Sequence, residues 1–268
     1  MDTRVVLITG ASSGIGQACA RHLARQGYRV FGTSRRPEGV TGEPFEMIPM
    51  DVTDDDSVRR GVEEVLRRAG RLDVLVNNAG FGIAGAVEDT SVEEAREQME
   101  TNFFGVLRLC RAVLPIMRAQ GSGTIVIIGS LAGRIALPFQ GLYSASKFAL
   151  EGLSEALRME VRPLGIQVVL IEPGDTRTNF TFRRRHTRAS QDSPYAPRMQ
   201  KALAVAGHDE QHGVPPESVA RLLGRILRLR HPRLRYRAGS LFQKVAVSAK
   251  CFLPEALFEW AVRKYYRI

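Results

Sequence analysis

Over the first two thirds of the chain, short runs of apolar and β-branched residues alternate with longer amphipathic stretches. The runs at Arg4–Thr9, Arg29–Thr33, Phe45–Pro49, Val74–Asn77, Thr124–Gly129 and Gln167–Glu172 predict strands. Their near-continuous apolar character fits a sheet covered on both faces. The stretches at about Gly14–Gln26, Asp54–Ala69, Val92–Glu100, Phe103–Gln120 and Tyr143–Leu164 predict helices, each long enough to cross such a sheet. Strand and helix in alternation imply βαβ units, so the fold class is α/β with a doubly wound parallel sheet flanked by helices. A helix at about Glu217–Arg230 and a strand at Leu234–Arg237 bring that sheet to about seven strands.

The pattern breaks between Asn179 and Pro216. Arg183, Arg184 and Arg185 stand together there, followed by a polar stretch with Pro194 and Pro197 and a Gly/His/Asp-rich piece ending in Pro215 and Pro216. So long an insertion in a compact domain is expected to be a lid, a binding loop or a mobile segment. Ser240–Ile268 mixes apolar and basic residues with Phe242, Phe252, Phe258, Trp260, Tyr265 and Tyr266, which predicts one or two amphipathic helices.

A chain of 268 residues suffices for one domain with a full core, and no solenoid repeat divides it. The start runs directly into an apolar strand with no export-signal pattern, and no apolar run nears the ~20 residues of a membrane span. Cys19, Cys110 and Cys251 are far apart and unpaired in sequence, which predicts neither a disulfide framework nor a metal site and suits a cytoplasmic setting. Charge is uneven: residues 1–176 hold 19 basic and 22 acidic side chains, residues 177–268 hold 19 and 6. Such asymmetry admits a nucleic-acid or membrane face as well as a solvated basic surface. No nucleic-acid motif accompanies it.

The first strand leads into Thr9-Gly10-Ala11-Ser12-Ser13-Gly14-Ile15-Gly16 and then a helix. Strand, glycine turn and helix form the context for a dinucleotide pyrophosphate, since glycines allow close approach and a helix N-terminus offers free N–H groups. This is the Rossmann-type arrangement. About twenty residues on, the second strand ends in Ser34-Arg35-Arg36, where an acidic residue would suit NAD and an arginine suits the 2′-phosphate of NADP. Asp51 and Val52 end the third strand, and Asn77-Asn78-Ala79-Gly80 end the fourth, where such sheets bind ligands.

Lys147 is the only lysine among the first 200 residues, and it follows Tyr143 by four. On a helix that spacing aims a phenol and an ammonium at one volume. With an ordinary pKa of about 10, a phenol needs a nearby cation before it exchanges protons readily. Ser130 lies just past the Thr124–Gly129 strand.

With these elements in order, the chain resembles the short-chain dehydrogenase/reductase family through TGASSGIG at 9–16, Asp51, NNAG at 77–80, Asn102, Ser130, YSASK at 143–147, and Pro173-Gly174 followed by Thr178. The resemblance implies an NADP-preferring oxidoreductase, NAD remaining possible, with Tyr143 as general acid or base and Ser130 binding the substrate oxygen. It implies that Lys147 holds the nicotinamide ribose and lowers the Tyr143 pKa, while Asn102 anchors a relay water. Pro173, Gly174, Thr176 and Thr178 would line the nicotinamide and phosphates. One departure stands out: similar NADP-binding chains carry a basic residue inside the glycine turn, where this one has Ser12 and Ser13.

SRRPE after the second strand, EPGD near the nicotinamide and the apolar tail resemble the hydroxysteroid and retinol dehydrogenase subgroup, which implies a lipophilic ketone or alcohol. The family implies a homodimer or homotetramer through the helices at 103–120 and 143–164. A dinucleotide-sensing protein without catalysis is the alternative on the same fold. The tail is expected to pack as core or subunit interface in preference to lying on a membrane.

Overall fold

A computed structural model describes residues 3–268. In chain order its elements are β1 (Val5–Ile8), α1 (Gly14–Arg25), β2 (Arg29–Ser34), β3 (Glu46–Pro49), α2 (Asp55–Ala69), β4 (Val74–Asn77), β5 (Ile83–Ala84), α3 (Val92–Met99), α4 (Gly105–Gln120), β6 (Gly123–Ile128), α5 (Gly141–Val161) and β7 (Ile166–Pro173). There follow α6 (Phe180–Arg183), β8 (Arg185–His186), α7 (Ala196–Gln211), α8 (Pro216–Ile226), β9 (Arg235–Ala238), α9 (Leu241–Ala249) and α10 (Glu255–Tyr265).

Seven strands form one sheet in the order β3-β2-β1-β4-β6-β7-β9, parallel at every pairing. The chain winds outward from β1 in one direction and from β4 in the other. This switch point opens a crevice at the carboxyl ends of β1 and β4, where ligands bind in such sheets. The strand pleat decides which helix each side chain meets. Val5 and Leu7 enter a core with Val58 and Val62 of α2, Leu109 and Val113 of α4, and Leu150 of α5. Val6 and Ile8 point the other way, into a core with Cys19 and Leu23 of α1 and Val219 and Leu223 of α8. Each large apolar side chain so buried contributes about 1.5–3 kcal/mol. Edge strand β9 is tied inward by ion pairs from Arg235 to Glu151 at 2.7 Å and from Arg237 to the fully buried Glu172 at 3.2 Å.

Three features depart from the pattern read in the sequence. The helices foreseen at 92–100 and 103–120 run together through a π-type turn at Glu100–Phe104. The extra residue in that turn accompanies inward burial of Asn102. Within the break at 179–216 lies the 16-residue α7. Its inner face carries only Met199, Ala202, Ala206 and Gly207, too small and sparse for a strong periodic signal, and Pro197 falls in its first turn, where proline is tolerated. Ile83–Ala84 pairs in parallel with Arg185–His186, a two-stranded patch that neither segment announces alone. The tail forms two helices, α9 starting at a Ser240–Gln243 capping box. Among the described residues no helix is long and apolar enough to cross a membrane.

Gly16 is the tightest point of the β1–α1 turn. A Cβ there would stand 2.4 Å from both the Gly10 carbonyl oxygen and Asn78 Nδ2. Gly16→Ala is therefore expected to destabilise the fold by about 1–3 kcal/mol, read as a melting point several degrees lower. An unchanged melting point would mean that the turn can relax without loss.

Candidate active site

The crevice opens into a cavity of about 720 Å³, within the range of small-molecule sites. One end is built by the β1–α1 turn. Gly10 and Gly14 hold φ of +65° and +58°, a conformation that favours glycine, and Ser13 caps α1 without spending its side chain on the helix. The first N–H groups of α1 thus remain available to an anion. Thr9 Oγ1 accepts from the backbone N–H groups of Asn78 and Ala79 at 2.9 and 3.0 Å, and Asn78 Nδ2 donates to Thr9 O at 2.9 Å, tying the ends of β1 and β4 together. Arg35, exposed at the end of β2, lines the cavity, and so does Asp51, whose Oδ1 is held by Thr53. These groups fit a nicotinamide dinucleotide: a glycine cradle, open helix N–H groups and a cation at the ribose end.

The centre belongs to α5 and the end of β6. Lys147, only 7% exposed, donates to the carbonyl of Ile128 at 3.0 Å, and its Nζ lies 5.8 Å from the centre of the Tyr143 ring. Burial lowers the Lys147 pKa to about 8. Burial also raises Tyr143 to about 12, a shift opposed by its hydrogen bond with Ser130 and reinforced by the negative charges of Glu210 and Asp175. The sequence led us to expect Lys147 to depress the tyrosine. Desolvation of the phenol outweighs any such effect. Ser130 Oγ accepts from Ala132 N at 3.0 Å, which fixes its hydroxyl at the mouth of the strand.

Of the residues foreseen, Gly10, Ser12, Ser13, Gly14, Ile15, Ser34, Arg35, Asp51, Val52, Asn78, Ala79, Gly80, Ser130, Tyr143, Lys147, Pro173, Gly174, Thr176 and Thr178 all line this one cavity. Gly16, Arg36 and Asn102 do not. Asn102, 1% exposed, receives Phe81 N at Oδ1 and donates from Nδ2 to Phe81 O and to Ser146 Oγ. Ser146 in turn donates to Tyr143 O at 2.7 Å, so the Asn102 carboxamide holds the backbone under the phenol.

The far end was not legible beforehand. Leu131, Ile135 and Leu137, Phe180 of α6, and Phe242, Val247, Phe258 and Val262 of α9 and α10 enclose an apolar volume. The tail therefore packs on the cavity with its inner face, while Leu241, Phe252 and Trp260 remain exposed on its outer one. Three polar groups enter the same space. Asp175 accepts from Gln243, and burial together with nearby Asp209 and Glu210 pushes its pKa up to about 7. Gln140, 2% exposed, presents a side-chain amide nitrogen with no hydrogen-bond partner among the described residues. Glu210 is paired with Arg184. EPGD carried a signal for Asp175, but Gln140 had none.

A family model described as short chain dehydrogenase matches residues 4–189. A 3-ketodihydrosphingosine reductase of Bacteroides thetaiotaomicron is 43% identical over 269 residues, covering 100% of each chain. A short-chain dehydrogenase from Streptomyces avermitilis superposes with a TM-score of 0.83 at 36% identity, over 94% of this chain and 93% of that one. An alcohol dehydrogenase from Thermococcus sibiricus, solved with 5-hydroxy-NADP, gives 0.72 at 27% identity, over 90% and 98%.

The fold bears a cost at Lys147. Because its pKa is depressed, the charged form is disfavoured in the folded chain. The resulting destabilisation is full below about pH 8 and fades as pH rises towards 10.5. Lys147→Met is expected to raise the melting point at pH 7 by several degrees, with the gain shrinking towards pH 10. Equal gains at both pH values would assign the effect to packing instead.

Proposed function

The chain belongs to the short-chain dehydrogenase/reductase family of oxidoreductases, and from that premise we propose that it uses NADP(H) to reduce the ketone of a long-chain, amine-bearing lipid. One observation carries this reading: Tyr143, one helical turn from Lys147, lines the same cavity as Ser130, the glycine cradle and an apolar chamber. The reduced nicotinamide supplies the hydride. Tyr143 gives its proton to the carbonyl oxygen as charge develops there, and Ser130 donates to the same oxygen. Burial keeps the phenol protonated at neutral pH, as the role of proton donor requires. Lys147, still largely protonated at neutral pH, orients the ribose hydroxyls and replenishes the phenol proton. Asn102 acts through Ser146 to hold the α5 backbone beneath Tyr143.

NADP preference is supported by Arg35, which lines the cavity without a carboxylate partner among the described residues. The NADP analogue in the Thermococcus structure agrees. For the substrate, the Bacteroides relative directs attention to 3-keto sphingoid bases, in which a ketone stands beside a protonated amine at the head of a long alkyl chain. The apolar chamber suits the chain. Asp175 suits the ammonium, and Gln140 suits a neighbouring hydroxyl. Residues 179–216 and the α9–α10 tail serve as lid and roof. Exposed Phe148 and Met159 on α5, with Phe104 immediately before α4, support a homodimer or homotetramer through that face.

Tyr143→Phe is expected to lower ketone reduction at least a hundredfold, with NADPH binding retained; turnover at the original rate would remove the proposed acid. Asp175 gives a separate test. Paired 3-keto substrates with and without the amine should differ in kcat/KM, and the preference for the amine should grow from pH 6 to pH 8 as Asp175 ionises. Asp175→Asn should abolish the preference while sparing the amine-free ketone. An equal loss on both substrates would exclude amine recognition.

A further inference from the structure

The glycine turn lacks its own basic residue, but a cation reaches it from 170 positions away. Arg183, the last residue of α6, donates from Nη1 to Ser13 Oγ at 2.9 Å and lines the same cavity as Ser12, Gly14 and Arg35. Its neighbours in the arginine run are otherwise engaged, Arg184 with Glu210 and Arg185 with Glu97. Among the described residues neither Arg183 nor Arg35 has a carboxylate partner. The placement leaves a positive charge without a counter-charge. The N-terminus of a helix carries roughly half a positive charge, so a guanidinium beside Ser13 sets two positive poles together. An anion between them reverses the sign for both.

We propose that Arg183 supplies the missing cation of the turn and clamps a dinucleotide phosphate against the N-terminus of α1. The chemistry required is a phosphate with two acceptor oxygens for the planar guanidinium fork. Both the pyrophosphate bridge and an adenosine 2′-phosphate provide it. The clamp also has a mechanical reach. α6 begins with Phe180, whose ring lies 5.6 Å from that of Tyr143, and Phe180 N donates to Thr178 Oγ1 at 3.2 Å. A phosphate gripped at the end of this single helical turn therefore fixes the aromatic wall at its beginning. The proposal rests on the dinucleotide reading above.

Equilibrium titration of the wild type, Arg183→Gln and Arg183→Lys with NADPH and with NADH, followed by nicotinamide fluorescence, tests it. Arg183 is exposed, so these variants should fold normally. Arg183→Gln is expected to raise the NADPH Kd about tenfold, the equivalent of 1.4 kcal/mol, and Arg183→Lys should recover part of the loss. A rise for NADPH alone identifies the 2′-phosphate as the ligand, and an equal rise for NADH identifies the pyrophosphate. Unchanged affinity for both overturns the clamp. A wild type that binds neither nucleotide would instead overturn the dinucleotide reading on which it rests. As a second readout, NADPH should slow chymotryptic cleavage after the exposed Phe182 in the wild type and do so much less in Arg183→Gln. Equal protection in both would also count against it.

Discussion

Removing an ammonium and a phenol from water on one face of α5 is the constraint around which the site is arranged. Neither group tolerates burial well when charged, and their pKa values shift toward the neutral form in opposite directions. The lysine is offset by a backbone carbonyl at the end of β6, the tyrosine by Ser130 from the same strand end. These bonds require α5 and β6 in register, which the packing of Leu150 and Leu157 against the sheet enforces. Gly133 contributes too: a side chain there would strike the Lys147 carbonyl at 2.8 Å. The chemistry thus depends on how closely a helix and a strand end can approach.

Much of this was legible in the sequence because the relevant signals are local. A buried parallel strand must be apolar along its length, a phosphate turn must be rich in glycine, and an i, i+4 pair on a helix must face one way. Tyr143, Lys147, Ser130 and the turn at 10–16 announce themselves on those grounds. Arg183, Gln140 and the roof residues do not, since nothing near them in the chain states what they will meet. Arg183 reads as one of three adjacent basic residues, and only the fold separates it from the two that are paired. Helix α7 escaped notice for another reason: its buried face is made of small residues, so its burial leaves little trace in hydrophobicity.

The cavity also shows how one sheet serves two tasks. The cradle is made by backbone geometry at the ends of β1 and β4, where Thr9 and Asn78 leave little freedom. The apolar chamber is made by side chains from the segment between β6 and α5 and from α6, α9 and α10. Rigid recognition of a constant molecule and adjustable recognition of a variable one are therefore assigned to different parts of the chain. Asp175 stands at the join, following directly on the Pro173-Gly174 end of β7 and bonded to Gln243 of the roof.

The scarcity of lysine has a practical meaning for protein chemistry. In residues 3–200 the sole side-chain amine is Lys147, and it faces the cavity with a pKa near 8, so an unusually large share is unprotonated and nucleophilic at mild pH. The surface there is built from arginine, which acylating and aldehyde reagents at such pH leave largely alone. A small electrophile that enters the crevice would label a single internal site in the N-terminal three quarters of the molecule. Peptide mapping after such labelling would report the occupancy of the crevice, with bound nucleotide registering as protection of that one residue.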